Sequence, residues 1–211
     1  MRTLIPGYLA RCVAQRGAAL LLSLLVVLAL MVIGVSGARI ALYGERAARA
    51  ERDRHIAFQA AEAALQDAET DIEGGSDPAS VRAALFALDN AIGFDPGCGQ
   101  GPVPNRGLCA HAGAPAVPAW QAIALAAPEA DAAATVAYGS FTGVRMPVGQ
   151  AMLPARLPRY LIELLPFARA GEDAGQRAGN FYRITAIGFG AHPSTQVVLQ
   201  TYYLKAAEPA S

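Results

Sequence analysis

The chain has 211 residues, enough for one long helix and one folded head of about 130 residues. Its 17 basic and 17 acidic side chains cancel to a formal net charge of zero. This balance argues against a nucleic-acid-binding protein, which needs a basic surface. The hydrophobic fraction of 54% is high because one uninterrupted apolar run and many alanines contribute to it.

The first predicted element is a membrane span. Residues 18–38 contain no charged residue and no proline, and these 21 residues match the roughly 20 that a helix needs to cross about 30 Å of hydrocarbon. Arg2, Arg11 and Arg16 precede this run, and no acidic residue does. The positive-inside rule therefore places residues 1–17 in the cytoplasm and the head outside it.

Residues 39–73 are predicted to continue the helix, because Ala, Glu, Arg, Gln and Leu dominate them. Both halves together would form one rod of about 50 residues and about 80 Å. Gly74 and Gly75 are predicted to end it. One side carries a narrow apolar stripe that we expect to pack on the head: Ala57, Ala61, Leu65, Ala68 and Ile72. The opposite face, left for partners, includes Arg52, Gln59 and Glu62.

A short helix and a long loop are predicted next. Residues 79–91 form an amphipathic pattern with residues 76–78 as its cap, and the apolar side holds Val81, Leu85 and Leu88. Residues 93–134 are rich in Gly, Pro and Ala and predict a long variable loop, which we expect a buried Trp120 to help hold in place.

Two of the three cysteines lie in this loop. Cys12 precedes the span, whereas Cys98 and Cys109 form an even pair in what is predicted to be an oxidising compartment, which favours a disulfide. Closing a loop of about 12 residues would stabilise the fold by about 3 kcal/mol in the chain-entropy model. A metal pair and free thiols are the alternatives, but two thiols alone do not make a zinc site and the only nearby histidine is His111.

The carboxy-terminal part changes to strand patterns. Residues 160–167 are a strong candidate strand, and residues 135–139 and 144–148 are weaker ones. Residues 181–205 predict a hairpin, because alternating side chains lead into a Gly- and Pro-containing turn at residues 188–194 and a second strand follows.

No constellation typical of catalysis or metal binding is present. The histidines at positions 55, 111 and 192 have no acidic or Cys neighbour at ligand spacing. The alternating acids Asp67, Glu69, Asp71 and Glu73 fail as a calcium loop, since Ser80 stands where a bidentate Glu is needed. We interpret these acids as a solvated helix end, and we predict no enzyme activity, no cofactor and no metal.

Several pieces of the chain resemble a known family. Arg16 and Gly17 stand directly before Ala18 and the apolar run, which resembles a prepilin peptidase signal; an ordinary secretory signal would be cut beyond its apolar region. Residues 52–69, RDRHIAFQAAEAALQDAE, resemble the amino-terminal region of PilX-type minor pilins. Four later pieces resemble the carboxy-terminal part of that family and occur in its order: YGSFTG (138–143), PRYLIELL (158–165), YRITAIGFG (182–190) and VVLQTYY (197–203).

This resemblance implies a type IV pilin-like fold of the α+β class, in which the long amino-terminal helix packs on a carboxy-terminal antiparallel sheet. It also implies peptidase cleavage between Gly17 and Ala18. The implied segments are a leader (1–17), a transmembrane segment (18–38), a periplasmic half of the helix (39–73), a short helix with the disulfide-containing loop (74–134) and the sheet (135–206).

The resemblance further implies a minor pilin of the bacterial inner membrane, single-pass with a periplasmic head, that helps prime type IV pilus assembly and reaches the pilus tip. The implied partners are other minor pilins, a PilY-type tip adhesin, the major pilin, the prepilin peptidase and the membrane. Major pilins carry a Glu at the fifth residue after the cut, where it is thought to pair with a neighbour's new amino terminus. Leu22 stands there in this chain, which fits a subunit with no neighbour above it.

The sequence is also compatible with two alternative functions. A type II secretion K-like pseudopilin would have the same rod, although the YGSFTG and YRITAIGFG pieces favour the pilus protein. A signal-anchored periplasmic enzyme or binding protein would keep residues 1–17 and would need a polar site in a cleft of the head.

Overall fold

The computed structural model describes residues 18–87, 91–99, 103–113, 115–128, 134–150, 152–166 and 179–206. The chain divides into two compact units, residues 1–49 and residues 50–211, and the second is called the head below. Helix α1 (Ala18–Ile72) contributes to both units. As predicted, it runs without a break from the apolar run into the polar half, because helix-favouring residues continue on both sides of Ala38.

Two glycines end α1, as predicted. Gly74 and Gly75 have φ angles of +116° and +61°, a region in which residues with a side chain are strained. The Gly75 amide donates to the Thr70 carbonyl oxygen at 2.9 Å, which satisfies one of the free carbonyl groups at the helix end. Lys205 also reaches this end, and its Nζ donates to the Ile72 carbonyl oxygen at 2.6 Å.

The second helix differs from its prediction. Helix α2 (Val81–Leu85) is shorter than the predicted range 79–91, and Leu88 lies outside the described residues. Its cap is Ser80 rather than residues 76–78, since the Ser80 Oγ accepts from the Ala83 amide at 3.1 Å. Val81 is 68% exposed instead of lying on the apolar side, because a helix this short buries only Arg82 and Leu85.

The described strands form one mixed sheet. Its strands are β1 (Leu108–Ala110), β2 (Val136–Ala137), β3 (Arg159–Leu165), β4 (Gly179–Phe189) and β5 (Gln196–Ala206). The order is β1-β3-β4-β5, with β2 beside β3. The predicted antiparallel core is present in β3, β4 and β5, whereas β1 pairs with β3 in parallel, which the sequence pattern did not indicate. The prediction of a strand at residues 144–148 was wrong, because those residues have no strand structure.

The first hydrophobic core lies between the head part of α1 and one face of the sheet. From β4 it receives Tyr182, Ile184 and Ala186, and from α1 it receives Ala64, Ala68 and Ile72. The predicted stripe is confirmed at Ala57, Ala61, Ala68 and Ile72, which are fully buried, but Leu65 is only half-buried. The buried face of α1 also includes residues that the stripe missed: Ala60, Ala64, Asp67 and Asp71.

Backbone meets backbone where α1 crosses β4. A Cβ atom placed on Gly188 would lie 2.1 Å from the Ala57 carbonyl oxygen and 2.4 Å from the Ala61 amide nitrogen. Only a residue without a side chain fits there, and the small alanines of α1 allow the same close approach from the other side. The Ala-rich sequence of α1 and this glycine of β4 are therefore complementary.

The second core lies on the opposite face of the sheet, which the loop predicted at residues 93–134 covers. From the sheet it receives Leu161, Ile187 and Phe189, and from the loop it receives Cys98, Cys109, Leu125 and the short helix α3 (Ala119–Ala122). Trp120 packs against this core but is half-buried, not buried as expected. The Gly- and Pro-rich segment is thus the second layer of the core over its described residues.

Within that layer, Cys98 and Cys109 are joined by a disulfide and their Cα atoms are 4.0 Å apart. We expect both cysteines to resist alkylation in the native, unreduced protein, as read by mass spectrometry. Cys98→Ser should lower the free energy of unfolding by about 2–5 kcal/mol, because it releases the loop that covers the sheet. Cys12→Ser is the matched control and should leave it unchanged, since Cys12 precedes the predicted cut. Two alkylatable thiols in native mature protein would exclude the bond.

Candidate functional site

The amino-terminal part of α1 is an exposed apolar surface. All residues from position 18 to position 38 are exposed, and Leu22 is 65% exposed, as a residue that faces a membrane or other helices would be. Among the described residues, α1 is the one helix long and apolar enough to cross a membrane. Its first turn holds no acidic residue, and Leu22 follows that turn. Ala18 is the first described residue of α1, and Gly17, the other residue of the predicted cut, lies outside the described residues.

The predicted partner face of α1 is accessible in the head. Arg52, Gln59 and Glu62 are all exposed. Phe58 lies among them and is 40% exposed.

A buried carboxylate of α1 holds the YGSFTG segment. Asp67 Oδ2 accepts from the Gly139 amide at 2.7 Å, and Asp67 Oδ1 accepts a short hydrogen bond from the Thr142 hydroxyl. Burial raises the pKa of Asp67 above its ordinary value, although these two hydrogen bonds oppose the change. The segment at residues 138–143 is therefore bound to α1 by a buried acidic residue, not by apolar contact alone.

One turn further on, Asp71 forms the centre of a buried ionic cluster. Arg82 from α2 donates to both carboxylate oxygens, with its Nη2 2.6 Å from Asp71 Oδ2. The Tyr160 hydroxyl, from β3, donates to the same Oδ2 at 2.9 Å. Burial, and then the charge of Asp71, raise the pKa of Tyr160 well above its ordinary value, so the hydroxyl remains a donor. The cluster connects α1, α2 and β3 in the first core.

Arg82 also holds the start of the covering loop. Its Nη1 donates to the Pro104 and Arg106 carbonyl oxygens at 2.6 and 2.8 Å. Its guanidinium lies 4.1 Å from the centre of the Phe141 ring, a cation–π contact with the segment that Asp67 binds. The interpretation of residues 67–73 as a solvated helix end was thus wrong for Asp67 and Asp71, because their partners come from residues distant in the chain.

A second ionic cluster lies on the opposite face of the sheet. Glu163 is fully buried, and its Oε2 accepts from Arg183 Nη2 at 2.5 Å. Its Oε1 is 2.9 Å from His111 Nδ1. Glu163 is the single charged residue from Tyr160 to Leu165, Arg183 is the single charged residue of β4, and the β3–β4 register places the two opposite each other. A lone charged residue in an apolar strand could have predicted this ion pair from the sequence. Nothing near His111 in the sequence indicated its contact with Glu163.

These two clusters join separate elements of the head through buried ion pairs. Within the described residues, no group of three His, Cys, Asp or Glu side chains is placed to hold a metal ion. A groove of about 320 Å³ lies beside the first cluster. Its lining combines the paired Asp71 and Arg82 with a second carboxylate, three serine hydroxyls and apolar residues: Asp77, Ser76, Ser80, Ser140, Val81, Pro104 and Phe141. Three surfaces of the described residues are exposed: the apolar part of α1, the predicted partner face of α1 and the outer side of β5.

Comparison with protein families agrees with this arrangement. A model described as PilX N-terminal matches residues 16–66, and a model described as Type IV pilus assembly protein PilX C-term matches residues 105–205. The first match contains the apolar run and α1 as far as Gln66, and the second contains the five described strands except for Ala206. No curated protein and no solved structure matches the chain significantly.

Proposed function

Because the chain belongs to the PilX family of type IV pilus assembly proteins, we propose that it is an inner-membrane prepilin that helps prime pilus assembly and then occupies the pilus tip. In this proposal the peptidase removes residues 1–17, the span stores the subunit in the membrane, and the head stands in the periplasm. Its partners are other minor pilins, the major pilin and a PilY-type tip adhesin.

One observation carries the proposal: α1 is apolar and exposed over residues 18–38 and has Leu22 where major pilins have a Glu. A membrane-stored helix without that acid avoids a cost of about 2.5–3.5 kcal/mol. It also has no carboxylate to offer to the amino terminus of a subunit above it. A subunit at the top of the fibre needs no such contact, whereas a subunit within the fibre does.

The match to the PilX carboxy-terminal model covers almost the whole sheet, which supports the pilus protein over the type II secretion pseudopilin. A purely structural role, without enzyme activity, agrees with a family of pilus assembly proteins. A structural role also agrees with the ion pairs of the head, in which buried acidic and basic side chains bind each other.

The test is a deletion strain complemented with processing variants. We expect Gly17→Arg to block cleavage, because a peptidase pocket that accepts glycine has no room for a long cationic side chain. Gly7→Arg is the matched control, since it adds the same charge to the leader away from the cut. The deletion should lower the count of surface pili, and the wild type and Gly7→Arg should restore it while Gly17→Arg does not.

Amino-terminal sequencing provides the direct measurement. The mature wild-type protein should begin at Ala18. An amino terminus at Met1, or one beyond Ala38, would contradict the proposed processing, and a fully piliated deletion strain would contradict the role in priming.

A further inference from the structure

Strand β5 is an edge of the sheet. Among the described strands it pairs only with β4, through an uninterrupted antiparallel register from Gln196 to Ala206. Natural edge strands are commonly protected by charged residues, by proline or by a bulge. β5 contains neither proline nor glycine, and its single charged residue is Lys205 near its end. Over the described part of the chain, no strand pairs with the outer backbone groups of β5.

The sheet face of β5 that continues the second core is also uncovered. Val198, Tyr202 and Leu204 lie on that face and are 47%, 58% and 39% exposed. On the inner strands, the same face is buried beneath the disulfide-containing layer. The Tyr202 ring stacks on Phe181 of β4 with ring centres 5.6 Å apart, so this apolar surface is already ordered. The covering layer thus stops before the edge and leaves a strip along β5 that is apolar except for Gln200, whose Nε2 donates to the Thr185 hydroxyl at 2.9 Å.

We propose that β5 receives an extended segment of another pilus subunit by strand addition, and that this segment is uncharged with apolar side chains at alternate positions. Backbone hydrogen bonds along the edge would hold the segment. The strip of Val198, Tyr202 and Leu204 would select its side chains. A charged segment does not fit, because a charge placed over this strip would lose water without gaining a partner.

The size of the surface indicates which kind of partner fits. At about 3.3 Å per residue, the 11 residues of β5 span about 36 Å. A strip of that length and about 10 Å width covers roughly 360 Å², less than half of the roughly 800 Å² per partner of a stable complex. The strip is too small to hold a free protein alone. It suits a subunit already held close by other contacts, since such tethering raises its effective concentration. The inference therefore rests on the proposed function.

Photo-cross-linking in the assembled system tests the contact. A benzoylphenylalanine replaces Gln200, which is exposed at the centre of β5, and in the matched control it replaces the exposed Gln150 outside the sheet. We expect irradiation of piliated cells to join position 200, and not position 150, to a second pilus subunit. The peptide identified by mass spectrometry should be an uncharged strand segment. An adduct between two copies of this chain, an adduct within one copy, or equal yields from both positions would overturn the proposal.

Charge substitutions provide a second readout. Val198→Lys and Leu204→Lys place a charge on side chains that face solvent in the isolated head, so the fold should tolerate them. We expect each to lower the Gln200 adduct by at least about ten-fold at normal protein level. Val144→Lys is the matched control, because Val144 is similarly exposed but lies outside the sheet. An unchanged adduct with both β5 variants would refute the strip as a contact.

These outcomes separate the two proposals. A fully piliated deletion strain refutes the priming role but leaves a Gln200 adduct to a pilus subunit as evidence for the β5 contact. A deletion strain that loses its pili, combined with an absence of adduct at Gln200, supports the priming role and refutes the β5 contact alone.

Discussion

Arg82→Leu should lower the free energy of unfolding of the head by about 3–5 kcal/mol, the largest effect that we expect from one substitution. The change leaves Asp71, which is fully buried, without its cation. It also leaves the Pro104 and Arg106 carbonyl oxygens without the donor that binds them. Arg82→Lys should not restore stability, because an ammonium group cannot contact the carboxylate and both carbonyls in the same geometry.

The measurement is urea unfolding of the full chain in detergent, followed by the fluorescence of Trp120, the single tryptophan, which packs against the second core. Arg49→Leu is the matched control. Arg49 and Glu45 are also 2.6 Å apart, but both side chains are largely exposed, and surface ion pairs contribute little. If Arg82→Leu shifts the midpoint no further than Arg49→Leu does, the buried cluster does not hold the head together.

Replacing both members of the pair distinguishes two contributions to the free energy of unfolding. One is the cost of leaving a single charge buried without a partner, and the other is the net stabilisation by the ion pair. We expect Asp71→Leu combined with Arg82→Met to cost clearly less than the sum of the two single changes, since no charge remains buried without a partner. Tyr160 limits the recovery, because its buried hydroxyl would lose its acceptor.

Gly188→Ala should be the second most damaging change, at the upper end of the about 1–3 kcal/mol that overpacking costs, or above it. The new Cβ would meet the backbone of α1 at Ala57 and Ala61, and backbone atoms cannot move aside as the end of a flexible side chain does. The helix must therefore lift from β4, which opens the first core along its length.

The matched control for this change is Gly97→Ala, because no atom lies within 4 Å of the Cβ that it would add. A second variant identifies the cause. Ala57→Gly combined with Gly188→Ala should remain as unstable as Gly188→Ala or become less stable, since the clash involves the Ala57 carbonyl and not its methyl group. Recovery in that double variant would show that side-chain crowding, and not contact of the two backbones, limits this position.

Both experiments examine the same property, the attachment of the sheet to α1. In the proposed function the apolar part of α1 moves from lipid into the helical core of a pilus tip, and the head must follow it. Small residues alone give little buried area, as the alanines of the α1 face illustrate. The Asp67 and Asp71 contacts add hydrogen bonds from residues 139, 142, 82 and 160 to that attachment.

The sequence by itself determined the elements that depend only on residues close to one another in the chain. The apolar run of residues 18–38 predicted a membrane-crossing helix because its length and composition do not depend on other residues. The hairpin of β4 and β5 followed from alternation and a turn within 25 residues. The helix end at Gly74 and the pairing of the two cysteines were predicted for similar reasons, from glycine chemistry and from an even thiol count.

Only the tertiary structure decided which polar residues are buried and what covers the second face of the sheet. Asp71 looked like part of a solvated helix end because its partners, Arg82 and Tyr160, lie 11 and 89 residues away. Hydrophobic periodicity indicates one buried face, so it could not show that β4 from Ile184 to Phe189 is buried on both faces. The cover comes from a Gly- and Pro-rich loop with no periodic pattern. It becomes a core layer only once a disulfide and a parallel strand place its few apolar side chains on the sheet.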